Sequence, residues 1–328
     1  MSISKSQQFF ENLWYRDTPW WLWIFLPFHL LLSLLVWLRR RFYKWGIFNS
    51  YKADVPVIVI GNVSIGGTGK TPFAIYLLNQ LKLQGYNPGL VTRGYGGDSS
   101  KHPLVVNKDS PTELVGDEPK LIFNNTQVPI VVDYRRARGA RRLVSEFNCD
   151  LIICDDGLQH YALQRDLEVL IIDGTRGFGN GFLMPFGPLR ETIGRSKKCD
   201  ISIINGQQMQ LQAQAIRKLV THEAVETVNL PLTAIAAIGN PQRFYNTLKE
   251  LELEFETQNF PDHHKFTQAD FASIDGNIIM TEKDAVKCSF LKDERFYYLP
   301  VSAQIDDNIE QQLLHLIAQK IEAKAHES

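Results

Sequence analysis

The stretch from Val55 to Tyr76, VPVIVIGNVSIGGTGKTPFAIY, constrains this chain more than any other. Val57, Ile58, Val59 and Ile60 form the β-branched run of a strand covered on both faces. Gly66, Gly67 and Gly69 follow, and they let successive backbone N–H groups turn toward one anion. Lys70 would then reach the β- and γ-phosphates, Thr71 would hold Mg²⁺, and the helix that begins there aims its positive end at the same charge. Ser64, Ile65, Gly66, Gly67, Thr68, Gly69, Lys70 and Thr71 are therefore the expected nucleotide-binding loop. The strict spacing G-x-x-x-x-G-K-[ST] asks for glycine at position 64, and this chain has Ser64 there.

Short apolar runs alternate with helical stretches from Asp54 to about Asn229, a pattern that predicts a mostly parallel sheet with helices on both faces. Strands are expected at 55–60, 89–92, 128–132, 150–154, 168–172 and 201–204, and helices at 70–83, 117–124, 135–147 and 208–220. A shorter alternation begins at Pro231, with strands at 233–238, 277–280 and 296–299, and helices up to 251, around 268–273 and at 308–323. The expected organisation is an N-terminal segment (1–50), a first α/β domain (51–229) and a smaller α/β domain (230–328) that closes over the site. Ligands of such sheets sit at the carboxyl ends of the strands.

All six tryptophans fall within the first fifty residues. WWLWIFLPFHLLLSLLVWL, residues 20–38, is apolar apart from Pro27, His29 and Ser33, and Arg39, Arg40, Arg41 and Lys44 follow at once. Its length permits a bilayer span, its tryptophans suit the interfacial belts, and the basic cluster puts the downstream side in the cytoplasm. Phe9, Phe10, Leu13 and Trp14 lie upstream at helical spacing, and Pro27 and His29 interrupt the run. A helical hairpin or a helix lying in the interface is therefore the competing arrangement. No small-residue cleavage site follows the run, so a removed signal peptide is not expected.

The remaining polar motifs fall where the strands end. Thr92-Arg93-Gly94-Tyr95-Gly96-Gly97 follows the second strand. Gly116-Asp117-Glu118-Pro119 opens a helix, where acids also complement the helix dipole. Asp155 and Asp156 end an apolar run, as the second half of a Mg²⁺-nucleotide site requires, and two adjacent acids there repel without a cation between them. A glycine-rich stretch from 174 to 198 carries Gly187-Pro188-Leu189-Arg190-Glu191, in which Arg190 either grips a phosphate or pairs with Glu191. Asp262-His263-His264 lacks the spacing of a zinc site. Lys283-Asp284 lacks the asparagine of a guanine-reading N-K-x-D element. Cys149, Cys154, Cys199 and Cys288 have no C-x-x-C spacing and read as reduced core thiols. The formal net charge is −1, so no global field draws in nucleic acid.

Taken in order, the tryptophan-rich N-terminus, GNVSIGGTGKTP, TRGYGG, GDEP, DDGLQH, GPLRE, FPDHH and TEKDAVK resemble the tetraacyldisaccharide 4'-kinase family of lipid A biosynthesis. The resemblance runs to about residue 290 and includes Ser64. It implies a P-loop NTPase-type α/β fold and an enzyme at the cytoplasmic face of the Gram-negative inner membrane. That enzyme moves the γ-phosphoryl of ATP, with Mg²⁺, to the 4'-hydroxyl of a tetraacyldisaccharide 1-phosphate lipid. It further implies Asp117 as catalytic carboxylate with His263 as its partner and Lys70 on the phosphates. Thr71, Glu118, Asp155 and Asp156 would surround the metal. Substrate contacts would fall to Asn62, Arg93, Tyr95, Gln159, His160 and Arg190, with Arg135 or Arg136. No obligatory protein partner is implied. The rival from another class is a membrane-tethered P-loop ATPase switch, whose signature lysine falls at position 65, where this chain has Ile65.

Overall fold

The computed structural model describes residues 10, 12–16 and 19–327; Phe9 and Ser328 of the segments considered above lie outside them. β1 (Val57–Gly61), β2 (Pro88–Thr92), β3 (Leu104–Val105), β4 (Ile130–Val132), β5 (Leu151–Asp155), β6 (Leu167–Asp173), β7 (Ile201–Asn205) and β8 (Met209–Ala213) lie in one sheet. A second sheet takes β9 (Ile216–Lys218), β10 (Ala224–Val225), β11 (Leu232–Ala236), β12 (Glu256–Asn259), β13 (Asn277–Thr281) and β14 (Phe296–Leu299). The chain then returns to the first sheet through β15 (Val301–Ile305), giving the order β15-β8-β7-β6-β1-β5-β2-β4-β3.

β1 sits in the interior of that nine-stranded sheet, parallel to both β5 and β6, with Ile60 opposite Asp155. Its period-two alternation explains the two-sided core. Ile58 and Ile60 face one layer with Phe73, Leu77 and Leu81 of the helix Lys70–Leu83, Ile122 of the helix Asp117–Thr126, and Leu313 and Ile317 of the helix Asp307–Glu327. Val57 and Val59 face the other, with Ala140 and Leu143 of the helix Arg136–Phe147. The chain leaves β1 for β2 and later returns to place β5 between them, so strand order reverses beside β1 and a crevice opens at the carboxyl ends.

Two expectations are corrected. No helix forms over 208–220; β8 and β9 occupy it. Met209, Leu211 and Ala213 alternate with Gln210 and Gln212, which is a strand period built from residues of good helix propensity. Nor does the chain divide at 229/230: β9 and β10 already belong to the six-stranded sheet, whereas β15 pairs antiparallel with β8 and the last helix covers the first sheet. The second lobe is the segment between these crossings, with its own apolar layers on either side of β11 and β13.

The N-terminal run forms a 3₁₀ turn, Trp20–Phe25, continuous with the helix Leu26–Lys44. Together they are long and apolar enough to cross a membrane. One stripe of the helix rests on the body along most of its length: His29 Nδ1 accepts from Leu183 N at 3.1 Å, Leu32 and Val36 join the second core layer, and Tyr43 lies 6.0 Å from the Tyr161 ring. The opposite stripe leaves Phe28, Leu31 and Leu35 exposed.

Candidate active site at the junction of two lobes

The loop after β1 owes its shape to two glycines. Gly66 and Gly69 have φ of +109° and +93°, the left-handed side that L-residues with a Cβ avoid. A Cβ at Gly69 would also lie 2.7 Å from Asn205 Nδ2. Residue 64 needs no such freedom. Ser64 bridges antiparallel to Leu189, with Arg190 N donating to Val63 O (2.7 Å) and Ile65 N to Pro188 O (2.8 Å). The glycine-rich stretch after β6 thus braces the loop as a short strand would, which accounts for serine at that position.

At the mouth of the loop, Asn62 Oδ1 accepts from both Lys70 Nζ (3.0 Å) and Arg190 Nη2 (2.7 Å). Arg190 Nη1 also pairs with Asp156 at 2.8 Å, and Lys70 lies 3.7 Å from the same carboxylate. Arg190 therefore pairs with Asp156 and not with Glu191, which is instead held by Gln159 and Tyr161. Burial pushes the Asp156 carboxyl up, but the Lys70 and Arg190 charges outweigh it and hold the pKa below the ordinary value.

Asp155 ends β5 one residue earlier and is buried. Its Oδ2 accepts from Thr92 Oγ1 at 3.2 Å, while its Oδ1 has no partner. Burial, then the charges of Glu118 and Asp156, push its pKa up to about 6. A buried carboxylate oxygen without a partner, beside two further anions, has the chemistry to bind a cation. Among the described residues no three His, Cys, Asp or Glu side chains converge as a complete metal cage. An ion held here would need other oxygens, from water and phosphate, a shell that suits Mg²⁺. Of the acids expected around it, Asp155 alone has a buried oxygen without a partner, while Glu118 pairs with Lys283 and Asp156 with Arg190.

The second cluster is built across the lobes. Asp117 is the first residue of the helix Asp117–Thr126, after Gly116 at φ +89°. Its Oδ1 accepts from Glu118 N at 3.1 Å, and its Oδ2 meets Nδ1 of His263, from the second lobe, at 3.1 Å. His263 is itself left-handed, φ +58°, with its N–H on Ala237 O. The Tyr95 ring lies 4.9 Å from the imidazole. Lys283, also from the second lobe, reaches Glu118 Oε1 at 2.7 Å and lies 3.8 Å from Asp117 Oδ2. Burial raises Asp117, but the His263 hydrogen bond and the Lys283 charge bring its pKa below the ordinary carboxylate value; the same hydrogen bond raises His263. A carboxylate with an imidazole behind it, next to a phosphate-binding loop, has the parts for removing a hydroxyl proton during phosphoryl transfer.

Comparison with known proteins gives this arrangement a family. The description of the tetraacyldisaccharide-1-P 4'-kinases matches residues 21–318. The chain belongs to this family. It is 45% identical over 325 residues to the tetraacyldisaccharide 4'-kinase of Methylobacillus flagellatus, covering 95% of this chain and 96% of that one. Against the Vibrio cholerae O1 El Tor enzyme it is 42% identical over 327 residues, covering 95% and 97%. The crystal structure of LpxK from Aquifex aeolicus in complex with ATP superposes with a TM-score of 0.78 at 27% identity, covering 92% of this chain and 99% of that one.

The residues that the family resemblance assigned to substrate do not all present free groups. Arg93, Tyr95 and Arg135 are exposed, and Arg135 lies 5.5 Å above the Tyr134 ring. Arg136 is buried with Nε unpartnered, and so is Nε2 of His160. Burial, helped by the Arg136 charge, pushes His160 down to about 4, so its ring is neutral at pH 7. Gln159 donates to Arg190 O at 2.9 Å and so shapes the Arg190 loop. Asn62 bridges the Lys70 and Arg190 side chains. Sequence alone gives Lys283 no role, because its motif bears comparison only with a guanine-reading element that it does not match. The signal available was an isolated lysine between two acids directly after a buried strand, the place where such sheets put ligand contacts.

Proposed function

We propose that this chain transfers the γ-phosphoryl group of ATP to the 4'-hydroxyl of a tetraacyldisaccharide 1-phosphate, with Asp117 as general base and His263 orienting it. The observation that carries this reading is the 3.1 Å contact of Asp117 with His263 from the opposite lobe, in a chain that also has an intact Gly-Lys-Thr loop. The loop amides, Lys70 and the helix N-terminus bind the triphosphate. Thr71, Asp155, Asp156 and Glu118 would hold Mg²⁺, which would supply charge neutralisation for the transferring group. Asp117 accepts the acceptor hydroxyl's proton, and His263 keeps the accepting oxygen aimed. Exposed Arg93, Tyr95 and Arg135, with Arg136, His160 and Arg190, receive the sugar phosphate. The second lobe, which supplies His263 to Asp117, covers the site and excludes water.

The acceptor's acyl chains remain in lipid, so the enzyme works at a surface. A helix attached to the body along one stripe cannot be wrapped by lipid on all sides. Its exposed stripe, Phe28, Leu31 and Leu35, therefore lies in the interface, with Arg39, Arg40 and Arg41 toward anionic headgroups. A cavity lined by Leu34, Trp37, Arg40 and Glu191 lies beside this helix and offers acyl chains a route toward the site. The face is cytoplasmic, where ATP is.

The test is ATP consumption by purified protein in detergent, with and without acceptor, beside Lys70→Ala. The kinase reading expects turnover that requires the lipid and is lost in the variant. Equal turnover in its absence contradicts the kinase and supports the ATPase switch.

A further inference from the structure

The segment Thr281-Glu282-Lys283-Asp284 has no part in the reading above, yet it is fixed from several sides. Asp284 is fully buried. Its Oδ2 accepts from Ala237 N (3.0 Å) and Thr281 Oγ1 (2.7 Å), and Lys287 Nζ lies 2.6 Å from its Oδ1. The Ala237 carbonyl in turn accepts the His263 N–H at 3.2 Å. One carboxylate therefore ties together the end of β13, the residue after β11 and, through Ala237, the backbone at His263.

From this platform Lys283 reaches back to the first lobe, 2.7 Å from Glu118 and 3.8 Å from Asp117. Both Lys283 and His263 act on Asp117 Oδ2, and both hang on the anchor that Asp284 provides. A lysine needed only for packing would keep its ammonium in water, as such side chains do when they can. Here the ammonium is withdrawn onto two adjacent acids that would otherwise repel each other, with Asp155 adding to the negative field at Glu118. Without that charge, Asp117 and Glu118 have reason to swing apart.

We propose that Lys283 is a positioning residue for phosphoryl transfer, holding Asp117 and Glu118 in reacting geometry from the second lobe. His263 and Lys283 hang from one platform, so the second lobe supplies both to the base together. This rests on the reading of Asp117 as the general base.

The test is steady-state kinetics of label transfer to the acceptor by wild type, Lys283→Met and Lys283→Arg. Methionine keeps the stem without the charge, and arginine keeps the charge. In Lys283→Met, kcat falls about a hundredfold, while KM for ATP and for the acceptor each moves by less than about threefold. Lys283→Arg recovers at least about tenfold of that loss. Lys283→Gln, whose amide still hydrogen-bonds Glu118, serves as the uncharged variant if the methionine protein does not fold. A kcat for the uncharged variant within about threefold of wild type, a loss that appears in KM instead, or an arginine variant no faster than methionine overturns the proposal. A wild type that transfers no label would bring down the kinase reading itself, and this role with it.

Discussion

If Asp117 is the base and His263 acts only through it, the two residues form one unit and their removal is not additive. The structure sets the sizes. His263 contributes one charge-assisted hydrogen bond to Asp117 at 3.1 Å, worth about 1.5–3 kcal/mol, so His263→Ala lowers kcat about 10- to 150-fold. Asp117→Asn keeps the shape and removes the base, a loss of about 10²- to 10⁴-fold. Independent residues would give the double variant the product, about 10³- to 10⁶-fold. A dyad predicts that Asp117→Asn/His263→Ala is within about threefold of Asp117→Asn alone, because the histidine has nothing left to orient. The assay is the initial rate of γ-label transfer at saturating ATP and acceptor for all four proteins. Losses that multiply would refute the reasoning and give His263 a task of its own, such as direct contact with the phosphoryl group.

Other expectations follow from the same geometry. Asp155, pushed up to about 6, holds a proton below that pH, and a proton competes with a cation. Mn²⁺ binding in the presence of ATP, read by electron paramagnetic resonance, should therefore strengthen about tenfold per unit as pH rises toward 6 and level off above it; a flat profile would remove Asp155 from the metal shell. Gly69→Ala places a Cβ at φ +93°, 2.7 Å from Asn205 Nδ2, and should abolish ATP binding measured by calorimetry while lowering stability by about 1–3 kcal/mol; unchanged affinity would mean that the loop does not hold the nucleotide as described. Leu31→Glu/Leu35→Glu, both on the exposed stripe, should reduce sedimentation with anionic vesicles at least about tenfold without altering the far-ultraviolet circular dichroism. Unaltered sedimentation would place the membrane contact elsewhere.

The parts of this molecule legible in its sequence are those governed by local rules. The β1 run, the glycine loop and the helix Lys70–Leu83 lie where their period and turn residues put them, since each is decided within about twenty residues. The carboxylates at strand ends could be found because a parallel sheet exposes those ends together. What escaped was non-local. β15 joins the first sheet by pairing with β8, some ninety residues away (Val301 opposite Ala213), and no pattern inside Val301–Ile305 announces its partner. β8 reads as a helix in sequence because glutamine, leucine and alanine favour helices, and its alternation over five residues is too short to overrule them. The bracing of Ser64 by Leu189 turns an apparent defect in the loop into a consequence of a contact 125 residues away. Lys283 was missed for the same reason, as its meaning lies in Glu118 and Asp117 on the other lobe.

The central claim is regiospecific transfer to a sugar hydroxyl, and the product itself is its most direct test. Purified full-length protein would be incubated with ATP, Mg²⁺ and tetraacyldisaccharide 1-phosphate, and the recovered lipid examined by phosphorus-31 nuclear magnetic resonance with proton correlation. The account predicts a second phosphomonoester coupled to the proton at the 4' carbon, absent when Asp117→Asn replaces the wild type. Phosphorus that appears only as free phosphate, or as a pyrophosphate on the existing 1-phosphate, would contradict it.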